Sequence, residues 1–137
     1  MMELTVRPID VDFVYDELDT NAITFRLADG YFSIQTCVYL EDDERLNEPM
    51  VELGSQGAQS GGLVRVLICP REIRLQFRES LCFLHECTLI SIVFDELVDV
   101  TLVDFFVNHL FLGDILIYGD DFDASKKVIQ TRKREYL

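Results

Sequence analysis

Residues 3–8, ELTVRP, and 22–28, AITFRLA, alternate apolar with polar side chains, the period of a strand with one face in a core and the other in water. Asp29-Gly30 follows the second run and precedes another alternating, aromatic-rich one, YFSIQTCVYL at 31–40, which predicts a tight hairpin between antiparallel neighbours. The charged stretch 41–49, EDDERLNEP, closes on a proline and reads as a solvated loop. MVEL at 50–53 and LVRVLIC at 63–69 read as strands on either side of a glycine-bearing segment. Pro70-Arg71-Glu72 then leads into IRLQF at 73–77, where Ile73, Leu75 and Phe77 share one face and Arg74 and Gln76 the other. LCFLHECTLISIVF at 81–94 is too long for one simple strand and predicts a bend or bulge near His85-Glu86.

The period changes after Asp95. Within 97–112, LVDVTLVDFFVNHLFL, residues Leu102, Phe106, His109 and Leu110 recur at helical spacing, with Asp99 placed to cap and Gly113 to stop a helix, although the Val, Thr and Phe content also suits a strand. ILIY at 115–118 is short enough for an edge strand, and the remainder reads as polar, mobile or loosely helical. The pattern predicts a mainly β (α+β) fold: an antiparallel sheet or sandwich of about seven strands with one late helix, a single β-rich domain at 1–119 and a polar, basic C-terminal tail at 120–137. There is no internal repeat and no series of alternating βα units.

Composition supports this outline and narrows the function classes. With 137 residues, 49% of them hydrophobic, the chain can bury a core of its own. Its net charge is -13, unevenly spread: Lys126, Lys127, Arg132, Lys133 and Arg134 are five of the twelve basic residues, so residues 1–125 hold seven bases against twenty-four acids. That excess repels phosphate backbones and anionic lipid, which argues against direct nucleic-acid or membrane binding. The amino-terminal stretch lacks the cationic start and apolar run of a secretory signal, and no window approaches the roughly 20 apolar residues of a membrane span, so a soluble cytoplasmic protein is expected. Cys37, Cys69, Cys82 and Cys87 sit in apolar runs and read as buried free thiols.

The segment VELGSQGAQSGGLVRVLI at 51–68 raises the question of a phosphate cradle. Such a cradle needs a helix after its glycines to supply free N-H groups; here a β-branched run follows, without a Lys-Ser/Thr pair, so the segment reads as a hairpin connection. Gly54, Gly57, Gly61 and Gly62 exceed what a two-residue turn requires, which predicts close approach of another backbone or a shaped rim against which a partner packs. Asp121, Asp123 and Ser125, in a cluster with Asp114 and Asp120, fall at EF-hand spacing. Lys126 stands where that loop needs glycine and Arg132 where it needs glutamate, which argues against calcium. In a strand, His85 and Cys87 share a face that Cys82 does not, so zinc ligation is not expected, and His109 among Phe105, Phe106 and Phe111 reads as a core-edge residue. No nucleophile and base stand in a recognisable motif; neither enzymatic activity nor a cofactor is expected. Tyr15 and Tyr31, near turns and beside carboxylates, could anchor an interface.

The stretch from Phe32 to Phe77 carries a pattern: a strand with Gln35, an acidic loop with Asp42 and Asp43, a strand bearing Glu52, then Gln56, Ser60 and the pair Gly61-Gly62 before the next strand. It resembles the immunity protein 10 family of bacterial polymorphic toxin systems. The resemblance covers about a third of the chain, omits the tail, and departs from the family in having no aromatic beside the paired glycines. It implies a small cytoplasmic protein that binds and silences a cognate toxin domain by occlusion, with no catalysis and no cofactor. An acidic inhibitor suits a cationic target such as a nuclease, because complementary charge raises the association rate. The partner-binding residues expected on this reading are Glu41, Asp42, Asp43, Glu44, Glu48, Glu52, Gln56, Gln59 and Ser60, with Gly54, Gly57, Gly61 and Gly62 shaping the loop. A homo-oligomeric or scaffold β domain, including a homodimer, and a ligand-binding β-barrel are the competing classes.

Overall fold

The computed structural model describes residues 2–39, 42, 48–110, 115–118 and 125–128, the last two segments by their backbone pairing. Two sheets face each other. In chain order the strands are β1 (Met2–Val6), β2 (Asp10–Glu17), β3 (Thr20–Leu27), β4 (Gly30–Cys37), β5 (Met50–Leu53), β6 (Gly57–Ser60), β7 (Leu63–Ile68), β8 (Glu72–Phe77) and β9 (Cys87–Val93). The helix α1 (Val100–Asn108) and the strands β10 (Ile115–Tyr118) and β11 (Ser125–Val128) complete the order. One sheet runs β1-β9-β8-β7-β10-β11 and the other β2-β3-β4-β5-β6. All pairings are antiparallel except β1 with β9 and β10 with β7. The mainly β sandwich with a late helix is as the hydrophobic pattern predicts.

The alternation places Ile23, Phe25, Phe32, Ile34, Val51 and Leu53 of one sheet against Val66, Ile68, Ile73, Leu75, Phe77, Ile90 and Ile92 of the other, all buried. Each such side chain contributes roughly 1.5–3 kcal/mol relative to leaving it exposed. At one edge, Leu102, Phe105, Phe106 and Leu110 of α1 and its C-terminal end close the gap between the sheets. β1 is held by pairing with β9 and by the Ser91 hydroxyl, which donates to the Glu3 carboxylate.

Several expectations change. The helix start does not: Val100 directly follows the expected cap Asp99, and the stretch before it is held along the β7–β8 turn by the Phe94 and Val98 amides, which donate to the carbonyls of Arg71 and Pro70 at 2.9 and 2.8 Å. Asp99 then caps, its carboxylate accepting from the Thr101 amide at 2.7 Å. Gly113, the expected stop, lies outside the described residues. β10 is not an edge: it pairs with β7 on one side and β11 on the other. β11 comes from the stretch read as a polar tail, and its sequence SKKV has the lysines that edge strands favour. β2 and β6 raise the strand count beyond seven. The bend expected near His85-Glu86 is a turn over 81–86, in which Glu86 takes φ 62° and Leu81 bridges Leu84. Among the described residues no helix is long and apolar enough to cross a membrane.

Candidate functional site: the outer face of the five-stranded sheet

Residues opposite each other in neighbouring strands share a face, so the register lays out three rows of side chains on the face turned away from the core. The central row is Asp12, Thr24, Ser33, Glu52 and Ala58; beside it run Asp10, Arg26 and Tyr31 on one side, and Val14, Ala22, Gln35, Met50 and Ser60 on the other. The face is made largely of small and polar groups. Glu52 and Ser60 thus fall on one surface with Gln35, and the Gln35 amide approaches the Met50 sulfur at 3.5 Å. Next to them Glu48, exposed, joins Thr20, Gln35, Thr36, Cys37, Met50 and Ser60 around a shallow pocket of about 150 Å³.

Tyr31 and Glu52 form a polar pair on this face. The Tyr31 hydroxyl donates to the Glu52 carboxylate, which holds the phenol above its ordinary value of 10.0, with desolvation and the carboxylate's charge adding in the same direction. Asp10 and Arg26 make an exposed ion pair at 3.3 Å farther along the same edge.

The glycine-bearing segment is not one connection. Gly57–Ser60 forms β6, and the Gly61-Gly62 pair, at φ 82° and 86°, turns the chain from the five-stranded sheet into β7 of the other. Backbone bonds fix this corner, the Gly61 amide donating to Pro49 and the Arg78 amide to Gly62. A Cβ at Gly61 would run into the Glu48 carboxylate. At Gly57, φ is 151° and a Cβ would stand 2.6 Å from Cβ of Phe83, so the close approach foreshadowed by the glycines is made by a side chain of the 81–86 turn. That turn supplies an aromatic to the loop from elsewhere in the chain. Gly54 stands at the β5–β6 turn, where the amide of the exposed Gln56 donates to the Leu53 carbonyl at 3.0 Å.

The predicted residues therefore divide. Glu48 and Ser60 line one pocket, Glu52 lies on the same sheet face as Ser60, Asp42 is exposed, and Gln56 lies at the hairpin tip. Gln59 sits on the other side of its strand, its carbonyl accepting from the Cys82 amide at 2.7 Å and its amide donating to the Gly61 carbonyl at 3.0 Å, so both ends serve the fold. Glu41, Asp43 and Glu44 lie outside the described residues, as do Asp114, Asp120, Asp121, Asp123 and Arg132 of the calcium-like spacing. Thr24 and Ser33 complete the face without being signalled by composition; only the strand register locates them.

All four thiols are free. Cys69 and Cys87 are buried as expected, and burial, reinforced by Glu72, pushes the Cys69 thiol up against a smaller opposing effect of Arg74. Cys37 is half-buried and Cys82 exposed, because Cys82 stands in the 81–86 turn rather than in a strand. The Cys87 thiol points to the Leu89 carbonyl while His85 is exposed, and among the described residues no three His, Cys, Asp or Glu gather as a metal site. His109 stacks on Phe105 and meets Tyr15 edge-on, with ring centroids 5.6 and 4.9 Å apart, a core-edge position. Tyr15 is half exposed and part of that aromatic cluster. No protein family model, curated protein or solved structure matches the chain.

Proposed function

We propose that this protein is an immunity protein: it binds a cognate, cationic toxin domain in the cytoplasm of the bacterium that makes both and silences it by stoichiometric occlusion. The observation that carries the reading is the placement of Glu52, Gln35 and Ser60 on one sheet face with Glu48, the last residue of the acidic sequence stretch 41–48, beside Gln35 and Ser60. The resemblance over Phe32 to Phe77 includes Gln35, Glu52 and Ser60 of these, and the net charge of -13 favours capture of a basic target by steering. On this reading the face supplies hydrogen-bonding groups at the centre of the contact, the loop carboxylates occupy the target's cationic cleft, and no bond is made or broken.

Co-expression with the product of the adjacent gene tests it. The two proteins should co-purify in equal amounts, and the inhibitor should restore growth to cells expressing the toxin domain. Glu52→Lys should weaken the complex, while Asp42→Lys with Asp43→Lys should slow association and flatten its salt dependence. Absence of both co-purification and rescue overturns the reading.

A further inference from the structure

The connection Pro8 to Val11 and the segment Phe94 to Asp99 face each other across a cleft of about 560 Å³ at the β2 edge of the sandwich, far from β5 and β6 in the strand order. Its floor is apolar, formed by Val11, Phe13, Phe94, Val98 and the buried Leu102, all packed on the core. Two exposed apolar side chains stand on its rim among the carboxylates, Ile9 at 67% and Leu97 at 63%. Two of the seven large apolar side chains left exposed among the described residues thus meet at one opening. Scattered singly they would need no explanation; gathered around a cleft they mark an interaction site.

Both lips are fixed by backbone bonds. The Ile9 amide donates to the Arg26 carbonyl at 2.8 Å, and the amides of Phe94 and Val98 hold the opposite lip to Arg71 and Pro70. A ligand entering here meets a preformed opening and orders little chain. Four carboxylates, Asp10, Asp95, Glu96 and Asp99, line the cleft and no lysine or arginine does. Asp10 is paired with Arg26 and Asp99 caps the helix, but Asp95 and Glu96 make no ion pair among the described residues.

We propose that this cleft docks a cationic segment of a partner protein that carries one large apolar side chain. The apolar group enters between Ile9 and Leu97 onto Phe13, Phe94 and Leu102, and flanking lysines or arginines meet Asp95 and Glu96. The cleft adjoins the outer sheet face at Asp10 but lies at the edge opposite Glu48, Glu52 and Ser60, and the proposal holds whether or not the toxin assignment does.

The test is titration of the isotope-labelled full chain with a synthetic peptide of one phenylalanine flanked on both sides by arginines, followed by amide NMR shifts. Saturable shifts should localise to Ile9–Val11 and Phe94–Leu102. Leu97→Ser, at an exposed position, should weaken binding about tenfold while leaving the rest of the spectrum in place, the loss corresponding to one buried aliphatic side chain. Asp95→Asn with Glu96→Gln should flatten the salt dependence, and a peptide with glutamates for arginines should not bind. Shifts that fail to saturate or map elsewhere, equal binding of the acidic peptide, or Leu97→Ser binding like the unsubstituted protein would each overturn the proposal. These outcomes are independent of co-purification with a toxin.

Discussion

Leu18 and Asp19 form the two-residue turn between β2 and β3, at φ 51° and 60°, with Glu17 paired to Thr20 around them. Positive φ at both central positions is the type I′ geometry that Asn-Gly adopts cheaply and that costs a leucine roughly 1–2 kcal/mol. Leu18 is 94% exposed, so no packing offsets that cost. Replacing the pair by Asn-Gly should therefore stabilise the fold by about 0.5–1 kcal/mol after the added unfolded-state entropy of glycine is subtracted. The readout is a raised urea midpoint at unchanged slope; an unchanged or lowered midpoint would show that the turn holds no strain to release. The same residues explain why this hairpin is silent in the sequence, where Asp29-Gly30 announces the next one. Turn chemistry is legible only when the turn uses the residues its geometry prefers, and Leu-Asp does not advertise a reversal.

At the scale of elements, Asn21 joins two parts of the fold that are distant along the chain. It is 1% exposed; its side-chain carbonyl accepts from the Asp16 amide at 2.6 Å, and its side-chain amide donates to the His109 carbonyl at 2.8 Å, just past α1. Asn21→Ala leaves a donor and an acceptor without partners and should cost about 1–3 kcal/mol. Because one residue serves both elements, hydrogen exchange should accelerate together at the β2 end and at the C-terminal turn of α1. The neighbouring Thr20→Ala removes only a long 3.4 Å contact to the Leu18 carbonyl and serves as the reference; an equal effect of the two substitutions would mean that Asn21 does not couple the hairpin to the helix. Such ties are not written in local pattern. The period of Ile23, Phe25, Ile73, Leu75 and Phe77 gives strands and their inward faces, and the spacing of Leu102, Phe106 and Leu110 gives a helix. By contrast β6, GAQS, has neither branched nor large side chains and is a strand only because β5 lies beside it. The parallel pairings of β1 with β9 and of β10 with β7 join segments with most of a sheet between them in sequence, and no turn residue marks them.

For the whole molecule, the charge distribution governs both stability and association, with opposite responses to salt. The outward position of Glu52 follows from strand parity once Val51 and Leu53 are taken as core, so part of the proposed toxin-facing surface could be read before the fold was in hand, whereas Ser60 is placed only by the pairing of β6. The acidic cleft could not be read so, since the exposure of Leu97 depends on two backbone bonds to the β7–β8 turn that no periodicity encodes. A net charge of -13 means that the folded state gathers like charges more closely than the unfolded chain does. Raising sodium chloride from roughly 0.01 to 0.15 M shortens the screening length from about 30 to about 8 Å. The melting temperature of the free protein should rise over that range, whereas an uncharged sugar at the same osmolality should not reproduce the salt-specific part of the rise. Association with a cationic partner should slow several-fold over the same range, because the steering field is screened along with the self-repulsion. If the association rate holds constant while the melting temperature climbs, the acidity serves solubility alone, and the occlusion reading loses its electrostatic basis.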